Sequence, residues 1–378
     1  MSAANTNIRD DPVLIERAGR LGRIRLNRPK AINSLTLDMV RIISAALDDF
    51  EFDPQIAAVL ITGEGERGFC AGGDIRALYD SGRAGTALAL TFWREEYVLN
   101  ARIKNFPKPY VAVMDGITMG GGVGVSAHGS HRIVTERTRL AMPETGIGFF
   151  PDVGGTWLLA HNPGEIGTYL ALTGERINAS DAIHARLADA FVPRSALAGV
   201  VASLETLPAE GASDHINAIL ARFSERISPT PIQENRAEID HAFAGDRMER
   251  IIAALASSGT EFGNKTQATL LAKSPTSLKI ALRLIRRAKE STSLEECLDR
   301  EFTAVHKVIT GHDFYEGVRA AVIDKDNKPV WSPARLDQVS DSDIEAYFGT
   351  TPEPIFRTAP ACEGGNHHDQ SDRVHRPR

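Results

Sequence analysis

Cysteine is scarce in this sequence of 378 residues: Cys70, Cys297 and Cys362 stand far apart and odd in number. That count suggests neither a disulfide framework nor a metal site, so a reducing compartment is expected. Long apolar runs are also lacking. None approaches the roughly 18 residues that a membrane span needs, and no membrane partner is expected. The start, "MSAANTNIRDDP", is polar and acidic, unlike a secretory or Arg-rich transit peptide, and the expected location is cytoplasmic. Excess positive charge is missing as well. With 43 Lys and Arg against 49 Asp and Glu the formal net charge is -6, which leaves no electrostatic footprint for nucleic acid. The nearest basic patch, "LKIALRLIRRAK" at 278–289, has apolar residues at helical spacing and reads as a solvated helix face.

What is present is an ordinary globular composition, 42% hydrophobic and 24% charged, in a chain long enough to bury a substantial core. The first half alternates strand and helix signals. "VLIER" and "GRIRLNRP" flank Gly19 to Gly22 as a hairpin, and "TLDMVRIISAALDDF" reads as a helix behind a Thr36 cap. "IAAVLITG" at 56–63 and "PYVAVMDG" at 109–116 read as buried strands, with a long helix over 84–104 between them. "HRIVT" and "RLAM" read as a further strand pair, followed by a helix starting near Val153. Strand, turn and helix recurring to about residue 205 predict an α/β layered fold. Helical segments then dominate, which sets a catalytic unit over 1–206 against a helical region over 207–350. The stretch 351–378 lacks periodicity and is expected to be a disordered tail, its His367 and His368 pair exposed.

Three strand ends carry unusual chemistry, and turns of this kind collect at one edge of a layered α/β fold. The first is "GFCAGGDI" at 68–75, where small residues let a ligand approach backbone N–H groups at a helix start; by itself it fits a tight turn equally well. The second is "ITMGGGVGVS" at 117–126. It lacks the lysine and hydroxyl of a phosphate loop and the spacing of a dinucleotide fingerprint. What remains is a helix N-terminus with bare amides, the parts of an oxyanion hole. The third is "MPETGIGFFPDVGG" at 142–155, with Glu144 and Asp152 in an apolar setting that raises carboxyl pKa values; buried acids of this kind also serve as structural groups.

Taken together, "NRPKAINSL" at 27–35, "FCAGGDIRALY" at 69–79, "FWREEYVLN" at 92–100, "KPYVAVMDGITMGGGVGVS" at 108–126, "AMPETGIGFFPDVGGTW" at 141–157 and "EGVRAAVIDKDNKPVW" at 316–331 resemble the crotonase superfamily of acyl-coenzyme A enzymes over roughly residues 12–350. Within it the resemblance is nearest to the 3-hydroxyisobutyryl-CoA hydrolases. It implies a spiral of repeated β-β-α units followed by an α-helical C-terminal region. It also implies hydrolysis of a short 3-hydroxyacyl-CoA thioester in valine degradation. Carried over position by position, the N–H groups of Gly73 and Gly121 form the oxyanion hole, Glu96 belongs to the substrate site, and Glu144 and Asp152 are the catalytic acids. The resemblance calls for no metal and no cofactor beyond the coenzyme A of the substrate. Crotonase-fold enzymes are often trimers, so a homo-oligomer is a possible state, although a helical segment folding back after residue 206 would alter it.

Enoyl-CoA hydratases and dienoyl isomerases of the superfamily are the nearest rivals, and both keep a carboxylate where this chain has Gly124. Lacking it, water addition or double-bond migration has one acid–base group fewer. A non-catalytic acyl-CoA binder predicts missing site residues. Here both acids and both glycine turns are present, so hydrolysis is the preferred reading.

Overall fold

The structure is a computed structural model that describes residues 11–208, 210–228, 230–349 and 354–356. The expectations placed on the N-terminal start and on a disordered tail from 351, with Cys362 and the His367 and His368 pair, fall almost entirely outside these residues.

Among the described residues nine strands form two sheets. β1 (Val13–Ala18), β2 (Leu21–Leu26), β3 (Ala58–Gly63), β5 (Tyr110–Met114), β7 (His131–Val134) and β9 (Ala190–Phe191) lie in that order in the larger sheet. β4 (Gly68–Cys70), β6 (Ile117–Met119) and β8 (Arg139–Ala141) make the smaller one. Among the strand pairs of the described residues, β1–β2 is antiparallel and the others are parallel. Pairs β3–β4, β5–β6 and β7–β8 therefore repeat one pattern: a strand in the large sheet, a tight turn, then a strand in the small sheet. Because β4, β6 and β8 run parallel, their C-terminal ends share one edge, and the three glycine- or acid-bearing turns follow those ends.

The repeat corrects one expectation. "HRIVT" and "RLAM" are not paired with each other; β7 and β8 belong to different sheets. Thr138 Oγ1 donates to Met114 O at 2.6 Å and accepts from Thr135 N at 2.8 Å, which turns the chain from one sheet to the other. The three-residue strands β4 and β6 are too short to carry a period of their own, and in the sequence they read as parts of the turns.

Helix α1 (Leu37–Phe52) is capped by Thr36, whose hydroxyl accepts from Met39 N, and buries Met39, Val40, Ile43, Ala46, Leu47 and Phe50 along one stripe. The helix expected over 84–104 is α3 (Leu88–Lys104); α2 (Ile75–Ala84) ends at Gly85 in a left-handed cap. α4 is Gly121–Ala127, and α5 (Gly155–Ala160) starts two residues later than expected because Val153 and Gly154 are both left-handed.

Both faces of the large sheet are covered, as a parallel sheet requires. Leu21, Leu60, Val111 and Ile133 pack against Val200, Leu204, Ile216 and Leu220 of the helices Leu197–Glu205 and Ala212–Phe223. The opposite core joins Ile24, Val59 and Ala112 to α1, α3 and α4, and continues into Phe302, Val305 and Phe314 of the C-terminal helices. Residues before and after 206 thus share one hydrophobic core.

The basic helix Pro275–Ala288 departs from the solvated face expected of it. Arg286 meets Glu165 at 2.9 Å with both side chains largely covered, and Lys279 meets Glu249 at 2.6 Å and Val339 O at 2.7 Å. Arg283 and Arg287 pair with Glu345, and Lys289 pairs with Glu165. Its cations fasten helices to the core. No helix of the described residues is long and apolar enough to cross a membrane.

Candidate active site

The three turns meet at the edge where β4, β6 and β8 end. Gly73, Glu96, Gly121, Glu144 and Asp152, the five site residues that the resemblance implies, line one cavity of about 120 Å³. Its walls are Leu78, Phe92, Trp93, Ile147 and Phe149, with Trp93 stacked on Phe149 at 5.4 Å between ring centres. This is room for a short acyl group. A wider depression of about 460 Å³ beside Arg139, Ile177 and Phe262 contains none of these five residues.

The first turn is held by its neighbours. Leu35 N donates to Gly72 O and Asp74 N to Leu35 O, both at 2.8 Å, while Ala71 N donates to Ile32 O at 2.9 Å. The supporting loop 27–35 is itself fixed by Asn33, whose amide donates to Glu64 O at 2.9 Å and Phe69 O at 3.0 Å. The residues on each side of Gly73 are therefore pinned, and the Gly73 N–H makes no hydrogen bond to the described chain. Gly121 is the first residue of α4, where a helix amide has no partner within its own helix. The two amides stand close together: a methyl group added at Gly121 would lie 3.2 Å from Gly73 N and would run into Glu96 Oε1. A side chain there has to move the Glu96 carboxyl or the start of α4. Gly120, with φ of 49° and ψ of -120°, aims the start of α4, and a side chain on it would meet Glu144 Oε1 at 2.9 Å.

The three acids come from different elements. Glu96 is on α3 and 2% exposed, Glu144 opens the 3-10 turn Glu144–Ile147 at 7%, and Asp152 follows Pro151 at 5%. Burial, and then the charges of Asp152 and Glu144, push the Glu96 carboxyl well above the usual range. Burial, and then the Asp152 charge, does the same to Glu144. Asp152 is pushed up to about 7 by burial, against the pull of the Tyr97 hydroxyl, which donates to its Oδ2 at 2.8 Å. Glu96 Oε1 and Glu144 Oε2 are buried without a hydrogen-bond partner, acceptors left for a ligand.

The turn carrying Asp152 is clamped twice. His128, at the end of α4, places Nε2 2.8 Å from Val153 O; burial pushes its pKa down to about 4, so the neutral ring must donate from that nitrogen. Glu301, from the helix Leu294–Val308, accepts from Gly154 N at 2.8 Å, from Thr156 N at 3.2 Å and from the Thr156 hydroxyl. Sequence reasoning did not single out Tyr97, His128 or Glu301. Tyr97 stood in the motif "REEY" beside Glu96, which was the available signal, whereas Glu301 carries none because it lies 147 positions from its partner.

Position 124 is sterically closed. A Cβ there would stand 2.8 Å from both Asn100 Nδ2 and Val153 Cβ. Asn100 is fully buried with both amide atoms unpartnered, and it occupies the space beside Gly124. Among the described residues no group of three or more His, Cys, Asp or Glu could hold a metal ion.

A strand-turn-strand repeat that gathers two free amides and three buried acids at one edge is the architecture of the crotonase superfamily, and the chain belongs to its enoyl-CoA hydratase/isomerase family, whose profile matches residues 21–348. Among curated proteins it is 44% identical over 349 residues to the mitochondrial 3-hydroxyisobutyryl-CoA hydrolase of Xenopus laevis, covering 91% of this chain and 90% of that one. The corresponding human protein is 41% identical over 343 residues, covering 89% and 88%. Among solved structures, a carnitinyl-CoA dehydratase from Mycobacterium thermoresistibile superposes with a TM-score of 0.87 at 42% identity, over 92% of this chain and 99% of that one. An enoyl-CoA hydratase from Rhodobacter sphaeroides gives 0.83 at 41%, over 89% and 97%.

Proposed function

We propose that this chain hydrolyses the thioester of a short 3-hydroxyacyl-CoA, with 3-hydroxyisobutyryl-CoA as its substrate in valine degradation. The observation that carries this reading is the pairing of two free amides, Gly73 and Gly121, with Glu144 and Asp152 in a cavity where position 124 has no space for a carboxylate. The names of the vertebrate relatives support the same substrate.

Chemistry follows from the charges. Attack on a thioester carbonyl places negative charge on its oxygen, and two preoriented N–H donors stabilise that charge without reorganising. Glu144 acts on the carbonyl carbon by one of two routes. In one, its carboxylate attacks directly, the C–S bond breaks, the thiolate leaves with a proton from solvent, and water cleaves the resulting anhydride. In the other, Glu144 takes a proton from water as the water oxygen attacks, and the C–S bond then breaks as that proton passes to the leaving thiolate. Asp152 holds the substrate hydroxyl or that water through the oxygen not engaged by Tyr97.

Hydration of an enoyl thioester is the second reading, favoured by the names of the two similar structures. It needs a second acid–base group, and Gly124 with its blocked surroundings leaves none in that place. Assaying free thiol release from 3-hydroxyisobutyryl-CoA against loss of enoyl absorbance with an enoyl-CoA decides between them. Thiol release without enoyl turnover supports hydrolysis; the reverse pattern overturns it.

A further inference from the structure

Glu301 is a fully buried carboxyl from the C-terminal helical region, and its hydrogen bonds go to Gly154 and Thr156, neither of which lines the cavity. That turn is conformationally expensive. Val153, a β-branched residue, has φ of 54°, and Gly154 follows it at 72°. The turn presents the N–H groups of Gly154 and Thr156 to one site that suits an anion. Glu301 fills it: Oε2 accepts from Gly154 N, and Oε1 accepts from Thr156 N and the Thr156 hydroxyl. On the other side His128 holds Val153 O, and Gly155 N closes on Asp152 O at 2.6 Å. Asp152 thus stands at the head of a strained loop whose far side is tied by one carboxylate.

We propose that Glu301 is a positioning residue: it holds the turn so that Asp152 faces the cavity with one oxygen on Tyr97 and the other free for substrate or water. The inference rests on the hydrolase reading only for the role of Asp152; the clamp is a property of the fold. It also gives the helical region after residue 206 a part in the site, since Glu301 reaches back 147 positions to do this. Burial pushes the Glu301 carboxyl up to about 8, while its three donors pull the other way, as expected for a group whose charged form is the one that gathers them.

The test is a cycle of Glu301→Gln, Asp152→Asn and the double variant, followed by free thiol release. Glutamine keeps the size but turns an N–H₂ toward N–H donors. The expected result is a fall in kcat of about 10²-fold with KM nearly unchanged, because a displaced reacting group costs on that order. In the Asp152→Asn background the same change has almost no further effect. Equal losses in both backgrounds, or a normal kcat in folded Glu301→Gln, overturn the proposal. If Glu301→Gln does not fold, Thr156→Val removes one donor and is expected to lower kcat several-fold, again only while Asp152 is present; an unchanged kcat overturns the idea. Amide exchange read by mass spectrometry needs no activity. In Glu301→Gln, the segment 152–157 exchanges roughly tenfold faster or more while the β-sheet is unchanged; unaltered exchange in that segment overturns the clamp. Absence of thiol release by the wild-type protein would count against the hydrolase reading and leave the exchange measurement to decide this one.

Discussion

Tyr97 Oη donates a 2.8 Å hydrogen bond to Asp152 Oδ2, and both groups are buried. The bond stabilises the ionised carboxylate that burial opposes, and the balance leaves Asp152 at about 7 against its ordinary 3.8. The activity that needs ionised Asp152 should therefore rise with pH through about 7. Tyr97→Phe removes the donor, and the rise should move to higher pH by roughly one unit or more. A pH profile of kcat/KM for the two proteins checks this, and a shift to lower pH would be the wrong sign.

The same shift predicts how stability varies. A carboxyl whose pKa is higher in the folded state holds its proton longer there, so its contribution is complete below the unfolded pKa and is lost as pH rises through the folded value. For Asp152 that window runs from about 4 to 7, and for Glu301, pushed up to about 8, it extends further. Chemical denaturation should show stability falling from pH 5 to pH 8. Asp152→Asn should flatten the fall and be more stable at pH 8, by on the order of 1 kcal/mol or more.

Glu144 decides the chemical route. Glu144→Gln should lower kcat by about 10²–10⁴-fold while acyl-CoA still binds in calorimetry. Single turnover in ¹⁸O-labelled water, followed by mass spectrometry of the peptide carrying Glu144, marks an anhydride opened at Glu144 by label in its side chain; with unlabelled peptide, trapping by hydroxylamine as a Glu144 hydroxamate separates an anhydride opened at the acyl carbon from activated water. Near-normal turnover by Glu144→Gln would remove it from the mechanism.

Gly121→Ala tests the oxyanion site. The added methyl group meets Glu96 Oε1 and must displace either that carboxyl or the start of α4 with its free amide. Loss of one such donor costs about 10²–10³-fold in kcat. An alanine variant as active as the wild type would show that this amide does not touch the reacting oxygen.

Gly124→Glu should not create a hydratase. Its Cβ would stand 2.8 Å from Asn100 Nδ2 and Val153 Cβ, and overpacking of this kind costs about 1–3 kcal/mol. A lowered melting temperature with no enoyl-CoA turnover is expected. Efficient hydration by this variant would mean that the space beside α4 opens more easily than the packing suggests.

Much of the site was legible in the chain because it lies in three short, locally punctuated segments. Glycines with no side chain, and acids set among Pro, Phe and Gly, announce themselves without any knowledge of their partners. The alternation of β-branched strands with amphipathic helices likewise fixed the layered class, since period and burial are local consequences of composition. Not legible was what lies between those segments. β4 and β6 are three residues long and gain their identity from parallel pairing in the small sheet. "RLAM" looked like the partner of "HRIVT" because adjacency was the only guide, whereas the Thr135–Thr138 turn sends it elsewhere. The cations of Pro275–Ala288 looked solvated because their acids lie as far off as Glu165 and Glu249.

The sequence by itself carried two glycine turns at 68–75 and 117–126, the carboxyls of Glu144 and Asp152 in an apolar setting and no carboxyl at Gly124, and its family resemblance added Gly73, Gly121 and Glu96. Those are properties of side chains, or of their lack. The tertiary structure alone decided that these groups share one small apolar cavity, that Tyr97 and Glu301 hold Asp152 in place, and that Asn100 and Val153 close the space beside Gly124. The physical reason is that burial, hydrogen bonding and crowding depend on residues far apart in the chain, and these set the charge and position of an acid that its own neighbours in sequence leave undefined.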